Sequence, residues 1–432
     1  MTRKTSLAFA AAGLAALAVA GCSPTATPTA TATDPSGSPN AETVELTFWH
    51  GYTEADGDVL NKIVADFNAS QDAIQITTEV NPWAVIDDTF LPALAAGTGP
   101  SIVAMPAERL PVYANRGAFV ALDDWYASPD SNAASLNPGA VQMVTVGGKK
   151  YGVPTGFVPL AMYYNKALFA AAGITAPPTT WDEWVSVAKK LTIDDNGDGT
   201  PEQYGVVLPD HATVANGLWP SLFYGNGGDI VADGTTAVID SPANADTLRF
   251  WQDAIASDHI SPTGVDGIGA DGVFSSGKAA MTIGGPWMVF IAADNKIDYG
   301  IAPIPAGPVT QAASAIGVSM AITDQGDPVK VAAAKKFFSF FFNETNTVAW
   351  SLGSGWPPLR TDIAADAVAE NPTVVALTAQ ASLGRPLLPG VVNSVDVLAA
   401  VDELTQRAMA GEDIAKLLQE AQSSIQAALD AK

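Results

Sequence analysis

The sequence predicts an α/β protein whose globular part divides into two domains. Three observations support this: strand-like and helix-like apolar patterns alternate along the chain, about 390 residues follow a polar N-terminal segment, and 48% of all residues are hydrophobic. A body of this length exceeds what one hydrophobic core usually serves. Alternating strands and helices favour a parallel sheet that is covered by helices.

The first 22 residues have the pattern of an export signal. Arg3 and Lys4 form a charged start, and residues 7–20 form an apolar run that is too short to span a bilayer. The run ends at Cys22, the only cysteine of the chain. Residues 19–22 resemble the lipobox of bacterial lipoproteins, so we expect a diacylglycerol on Cys22, the alternative being an incidental buried cysteine. A lipid anchor predicts a location at the cell membrane, on its extracellular or periplasmic face.

Residues 23–42 consist mainly of Thr, Pro, Ser and Ala and contain no aromatic residue. Such a segment cannot bury a core, so we expect a disordered tether between the anchor and the folded part. A processing remnant without a function is the alternative.

The charge and the histidine content exclude several classes of protein. The formal net charge is −24, and loss of Arg3 and Lys4 with the signal would make it −26. This charge repels nucleic acid and anionic lipid, so we expect no nucleic-acid partner. We also expect the protein to be a monomer. The histidines, His50, His211 and His259, lie far apart in sequence, which argues against a zinc site.

The residues after the tether predict a βαβαβ unit. The expected strands are 44–49, 74–80 and 101–105, and the expected helices begin near Thr53 and span 83–96. A second alternating region runs from residue 151 to about 299, and the chain ends in amphipathic helices, one of which has an apolar stripe over 414–429.

Ligands of parallel sheets bind beyond the carboxyl ends of the strands, where loop amides and helix N-termini converge. Trp49 and His50 end the first predicted strand, and Met105 ends the third. We therefore expect these three residues to face a ligand cleft, with core packing as the alternative role for Trp49.

Residues 194–199 have the spacing of a calcium-binding loop. Asp194, Asn196 and Asp198 occupy the first, third and fifth positions, and a glycine follows at the sixth. Position 12 lacks the usual glutamate, and Glu202 at position 9 is a partial substitute. A structural Ca²⁺ ion is one hypothesis, and a solvated turn is the other. No other cofactor is expected.

The globular part contains four motifs in a characteristic order. They are G-x-G-P-S-I-V at 97–103, Y-G-V-P at 151–154 with M-Y-Y-N-K at 162–166, P-T-T-W-D-E-W at 178–184, and F-x-x-G-K-A-A-M-x-I-x-G-x-W at 274–287. In these motifs and their order, the sequence resembles the solute-binding lipoproteins of ABC importers, in the branch of the maltose-binding protein. The resemblance covers nearly the whole globular part.

The resemblance implies a periplasmic-binding-protein-like fold, in which two α/β lobes are joined by hinge crossovers and enclose a ligand cleft. Carried over by position, lobe 1 comprises residues 43–154 and 319–370, and lobe 2 comprises residues 155–318 and 371–432. The implied partners are a carbohydrate ligand and the permease subunits of an ABC transporter in the membrane.

Flat aromatic rings can stack on sugars, and flanking carboxylates, amides and arginine can bind the sugar hydroxyl groups. The resemblance implies that Gly285 and Trp287 of the fourth motif lie where relatives stack a sugar ring. Trp219 matches another position near the sugar, and Trp356 lies in a Gly-Pro loop that contributes to the cleft. Packing between elements is the alternative role for each tryptophan.

Glu108 and Arg109 align with an acid–arginine pair that binds sugar hydroxyls in maltose-binding relatives. Met105 stands where those relatives have a tryptophan, which leaves the identity of the sugar open. Glu54 and Asp56, together with His50, are further expected hydroxyl partners, with helix capping as the other role for the acids.

The sequence thus predicts a binding protein for a mono- to oligosaccharide, without catalytic residues. A binding protein for a polyamine, an iron complex or a glycerophosphodiester is the first alternative. A secreted glycosidase is the second, because the 45 acidic residues permit a catalytic carboxylate pair.

Overall fold

The computed structural model describes residues 43–53 and 55–431. The predicted export signal, Cys22, the tether at 23–42 and Glu54 lie outside the described residues. Within the described part, no helix is long and apolar enough to cross a membrane.

The helices and strands follow each other along the whole described chain. The strands are β1 Val44–His50, β2 Ile74–Val80, β3 Ile102–Pro106, β4 Thr145–Val146, β5 Lys149–Lys150, β6 Val153–Pro159, β7 Ala161–Asn165, β8 Val231–Ala232, β9 Thr236–Ala237, β10 Met281–Gly284, β11 Tyr299–Pro303, β12 Ala313–Ile322 and β13 Gly384–Pro386. The α-helices are α1 Ala55–Ala69, α2 Trp83–Ala95, α3 Leu110–Asn115, α4 Asp123–Tyr126, α5 Pro138–Met143, α6 Lys166–Ala171, α7 Trp181–Leu191, α8 Ala215–Gly225, α9 Pro242–Asp258, α10 Gly267–Ser275, α11 Met288–Asp294, α12 Pro328–Phe341, α13 Glu344–Ser354, α14 Pro372–Thr378, α15 Ser394–Met409 and α16 Ile414–Asp430.

The first three strands form the predicted parallel unit. β1 pairs in parallel with β2 and with β3, and the strand order of the sheet is β13-β12-β3-β1-β2. β12 runs antiparallel to β3 and also pairs antiparallel with β6, which is the sixth strand. The prediction of an α/β fold is therefore confirmed.

Both faces of this sheet are covered by other elements. Successive side chains of a strand point to opposite faces, so each strand contributes to both cores. Phe48 of β1 packs into the core on one face, together with residues of α1 and α12. Met105 of β3 packs on the other face against Phe90 of α2. The strand residues are therefore core residues on either side.

A second, three-stranded antiparallel sheet has the order β10-β7-β11. Its Met162 and Ile283 pack into a core with Trp184, Trp251 and helices α15 and α16. The predicted apolar stripe of α16 is confirmed, since its buried residues include Ile414, Leu417, Leu418, Ala421 and Ile425.

Two of the three predicted lobe boundaries fall in the long strands β6 and β12. These strands pair antiparallel to each other across the expected crossovers near Pro154 and Gly317. The division into two lobes, with the third crossover near Pro372, stays a prediction.

Candidate ligand-binding cleft

A cleft of about 650 Å³ opens at the carboxyl ends of β1 and β3. One wall comes from the loops after β1, β2 and β3, at residues 51–56, 83–87 and 106–109. The other comes from residues 213–217 and from Ile268, Asp271, Trp287 and Phe290, and residues 316–318 of β12 also line the cleft. The volume is within the range of small-molecule sites.

Five large aromatic side chains line the cleft: Tyr52, Trp83, Trp287, Phe290 and Trp356. The Tyr52 and Trp83 rings meet edge to face, with centroids 5.2 Å apart. The Tyr52 hydroxyl is 2.7 Å from Oγ1 of Thr155 on β6, which fixes the ring. Trp356 is only 6% exposed, so it offers one part of its ring to the cleft.

The indole of Trp287 rests on the backbone of the motif that carries it. An added Cβ at Gly285 would lie 2.2 Å from Cζ3 of Trp287, so only glycine permits this approach. The buried Tyr163 hydroxyl donates a hydrogen bond of 2.7 Å to the Gly285 carbonyl. The F-x-x-G-K-A-A-M-x-I-x-G-x-W motif therefore ends in a supported ring at the cleft.

The first wall combines three carboxyl groups with one arginine. Arg109 Nη1 lies 2.5 Å from Asp87 Oδ2. Burial raises the pKa of Asp87, and the charge of Arg109 opposes that rise. Burial also raises the pKa of Glu108, opposed by a backbone hydrogen bond and by Arg109. Asp56 lies at the start of α1 and accepts a 2.8 Å hydrogen bond from the Gly57 amide.

The second wall contains Asp271 of α10 beside Trp287. Burial raises the pKa of Asp271 to about 7, while a hydrogen bond from Trp287 lowers it and the charge of Asp266 raises it further. Its Oδ1 is buried and has no hydrogen-bond partner. This carboxyl group therefore changes charge near neutral pH.

Asn216 of α8 also lines this wall and is held from behind by Asp402 of α15. In the orientation that its surroundings favour, the Asn216 amide donates to both Asp402 oxygens, at 2.5 and 3.1 Å. The amide oxygen of Asn216 then remains as an acceptor. Just before α8, Ala212 and Thr213 have positive φ angles of 54° and 45°, and such backbone strain is common at ligand sites.

Five of the residues expected from sequence line the cleft. They are Asp56, Glu108, Arg109, Trp287 and Trp356, and Gly285 supports the Trp287 ring from behind. The structure thus brings together residues that lie up to 300 positions apart in sequence. Their contact with a ligand stays a prediction.

Four placements were wrong: Trp49, His50, Met105 and Trp219 do not line the cleft. The first three belong to strands with cores on both faces, so the strand-end side chains are packed and the cleft begins one to three residues later. His50 lies between the rings of Phe48 and Tyr52.

Trp219 is fully buried because α8 is surrounded by other elements on all sides. Its Nε1 donates a 3.0 Å hydrogen bond to the Pro209 carbonyl. The indole therefore stabilises the core and cannot contact a ligand in this conformation.

Sequence reasoning missed most other residues of the cleft, among them Tyr52, Trp83, Asp87, Asn216 and Asp271. The rule about strand ends, applied to β2, would have found Trp83, which follows that strand by three residues. No local pattern indicates Asp271, because only the pairing of distant segments brings α10 to the cleft.

The described residues contain no cluster of metal ligands that would support the calcium hypothesis. Both carboxylate oxygens of Asp194 accept backbone hydrogen bonds, from Gly197 at 2.7 Å and Gly199 at 3.0 Å, and Glu202 accepts from the Asn196 amide at 2.8 Å. Among the described residues, no group of three His, Cys, Asp or Glu side chains is arranged to hold a metal ion. Calcium at Asp194, Asn196, Asp198 and Glu202 stays a prediction that melting with and without chelator would check.

The profile of a family described as bacterial extracellular solute-binding proteins matches residues 51–348, which is more than half of the chain. The chain belongs to this family. The family resemblance inferred from the four motifs is therefore confirmed. The members of this family are substrate-binding proteins rather than enzymes.

Individual relatives agree with this assignment. A putative binding protein of Brucella abortus (strain 2308) is 26% identical over 357 residues, covering 80% of this chain and 84% of the relative. The maltotriose-binding protein of Pyrococcus abyssi is 24% identical over 352 residues, covering 80% of this chain and 73% of the relative. The crystal structure of a cyclic α-maltosyl-1,6-maltose binding protein from Arthrobacter globiformis superimposes with a TM-score of 0.78 at 25% identity, over 90% of this chain and 99% of that one.

Proposed function

We propose that this protein is the carbohydrate-binding lipoprotein of an ABC transporter. In this proposal it captures a mono- to oligosaccharide outside the cell and delivers it to a membrane permease. A diacylglycerol on Cys22 and the tether at 23–42 keep it at the membrane. The names of the relatives that bind maltotriose and a cyclic maltose derivative support a sugar as the ligand.

One observation carries the proposal: aromatic rings and hydrogen-bonding side chains line the same cleft. Trp83, Trp287 and Trp356 offer ring surface to the weakly polar C–H face of a sugar. Asp56, Glu108 and Arg109 lie at the same cleft and suit its hydroxyl groups.

Isothermal titration calorimetry with maltose, maltotriose and galacto-oligosaccharides tests the proposal. We expect saturable heat for at least one sugar, and a higher melting temperature in its presence. Chromatography of the sugars after long incubation should recover them intact. Cleaved sugar would instead support the glycosidase alternative, in which two carboxyl groups with raised pKa values, Glu108 and Asp271, would be the candidates.

The polyamine alternative is favoured by one feature, the excess of carboxyl groups over cations in the cleft. Asp56, Asp87, Glu108 and Asp271 face a single Arg109, which is paired with Asp87. Spermidine therefore belongs in the same titration series. Heat with spermidine and none with any sugar would replace the carbohydrate by a polyamine.

A further inference from the structure

Asp271 differs from Asp56 and Asp87 of the cleft in the hydrogen bonding of its carboxylate oxygens. Asp87 is paired with Arg109, and Asp56 accepts a hydrogen bond from the Gly57 amide. Among the described residues, Asp271 is the one acidic side chain with a buried oxygen that lacks a hydrogen-bond partner. A buried acceptor of this kind is rarely left unpaired in a native protein.

Asp271 lies beside Trp287 in the second wall. Trp287 lies close enough to the Asp271 carboxyl group to lower its pKa, and the only polar group of a tryptophan side chain is the indole N–H. Gly285 holds the other side of the same indole through its close approach. The ring thus rests on backbone at one face, and its N–H is the group that can reach Asp271.

We propose that Asp271 is a ligand-binding and specificity-determining residue, which orients Trp287 through its indole N–H and accepts a hydroxyl group of the sugar at Oδ1. This inference rests on the proposed function. A sugar that stacks on the ring carries hydroxyl groups at its edge, and the Asp271 carboxyl lies beside that ring. The unpaired oxygen then gains its partner when the ligand binds.

The charge state of Asp271 gives this contact a pH dependence. A hydroxyl donor favours the ionised carboxylate, and the pKa of the empty site is raised to about 7 by burial. Binding should therefore release a proton near neutral pH, and affinity should increase from pH 6 to pH 8.

Other charged groups near the cleft must be separated from this effect. Asp266 lies on the N-terminal side of the same helix and raises the pKa of Asp271. The groups on the remaining elements are Asp56, Asp87, Glu108 and Arg109 on the first wall, Tyr163 below Gly285, and Asp402 behind Asn216. Burial raises the pKa of Asp402 to about 6, and it also raises the pKa values of Asp87 and Glu108.

Calorimetry on the full chain at pH 6, 7 and 8 tests the inference, with whichever of maltose, maltotriose and galacto-oligosaccharides binds the wild type. We expect Asp271→Asn to weaken binding at pH 8 by about tenfold, as for loss of a hydrogen bond to a charged group, and to remove the increase with pH. Asp402→Asn should keep that increase. Asp253→Asn, a change at an exposed acid of α9, is the matched control and should behave as the wild type.

A ligand-free measurement gives a second readout. The tryptophan fluorescence of the wild type should change between pH 6 and 8 because the charge beside the Trp287 indole changes. This change should be absent from both Asp271→Asn and Trp287→Phe.

The outcomes separate the two proposals. If no sugar gives heat with the wild type, the carbohydrate proposal fails and the sugar contact of Asp271 fails with it. If sugar binds the wild type and Asp271→Asn with equal affinity and equal pH dependence, only the role of Asp271 is overturned. Identical fluorescence titrations of the wild type and Asp271→Asn would overturn the contact with Trp287.

Discussion

Gly285 and Trp287 are two residues apart in sequence, and the indole of the second covers the Cα of the first so closely that a methyl group does not fit between them. We therefore expect Gly285→Ala to displace the ring and to weaken sugar binding by up to about 1–3 kcal/mol, the contribution of the lost apolar contact with the ring. Calorimetry measures the loss. Gly272→Ala is the matched control, because a Cβ at Gly272 of α10 would meet no heavy atom within 4 Å. Equal affinities of the two variants would contradict the role of Gly285.

The tryptophans of the cleft and of the core should respond differently to substitution. Trp287→Ala removes ring surface from the ligand, so sugar affinity should fall by about 1–3 kcal/mol while the melting temperature changes little. Trp219→Phe removes the hydrogen bond to the Pro209 carbonyl, so stability should fall by about 1–3 kcal/mol with unchanged affinity. Calorimetry and thermal melting of both variants test this contrast. An unchanged affinity of Trp287→Ala would rule out stacking there.

Asp402 should make the protein less stable as the pH rises from about 4 to about 6. Its pKa is raised by burial from 3.8 to about 6 in the folded protein, so the folded state binds the proton more tightly than the unfolded state in this window. Unfolding then releases a proton, and stability decreases with pH. Melting temperatures of Asp402→Asn should decline less over this range than those of the wild type.

Asp253→Asn, at the exposed acid of α9, controls for the loss of one negative charge and should retain the wild-type slope. The buried carboxyl groups of the cleft contribute slopes of the same sign in all three proteins. If the melting temperatures of Asp402→Asn and the wild type change by the same amount between pH 4 and 6, Asp402 titrates as an ordinary surface acid.

The membrane anchor makes a separate prediction. Cys22→Ser should move the protein from the membrane fraction to the soluble fraction, because two acyl chains supply the stable attachment. Immunoblots of fractionated cells measure this, and mass spectrometry of the N-terminal peptide identifies the lipid. A wild-type peptide without lipid, or an unchanged membrane fraction of the variant, would refute the anchor. Sugar affinity of the soluble variant should equal that of the wild type, since Cys22 is not among the residues that line the described cleft.

The sequence predicted the elements of the first sheet well because its patterns are local. The strand expected at 74–80 has those bounds in the structure, and the helix expected at 83–96 ends one residue earlier. Five cleft residues were also expected: Trp287 from its motif, Asp56 from its place after the first strand, and Glu108, Arg109 and Trp356 from the family resemblance. Trp49, His50 and Met105 were misplaced because periodicity does not reveal that both faces of a sheet are covered.

The rest of the cleft depends on contacts between distant segments. Asn216 owes its orientation to Asp402, which is 186 residues further along the chain. Asp271 owes its raised pKa to burial against Trp287, and burial is a property of the folded chain. Neither relationship leaves a pattern in the spacing of residues.

The strand order of the large sheet has a consequence for the timing of folding. β12 pairs with β3 but follows it in the sequence by more than 200 residues. β13, at the edge of the sheet, lies still later in the sequence. The N-terminal strands alone therefore lack their neighbour until most of the polypeptide has been synthesised. Such non-local pairing slows folding. A chain that stays unfolded for long after its first residues emerge remains threadable through a narrow translocation channel.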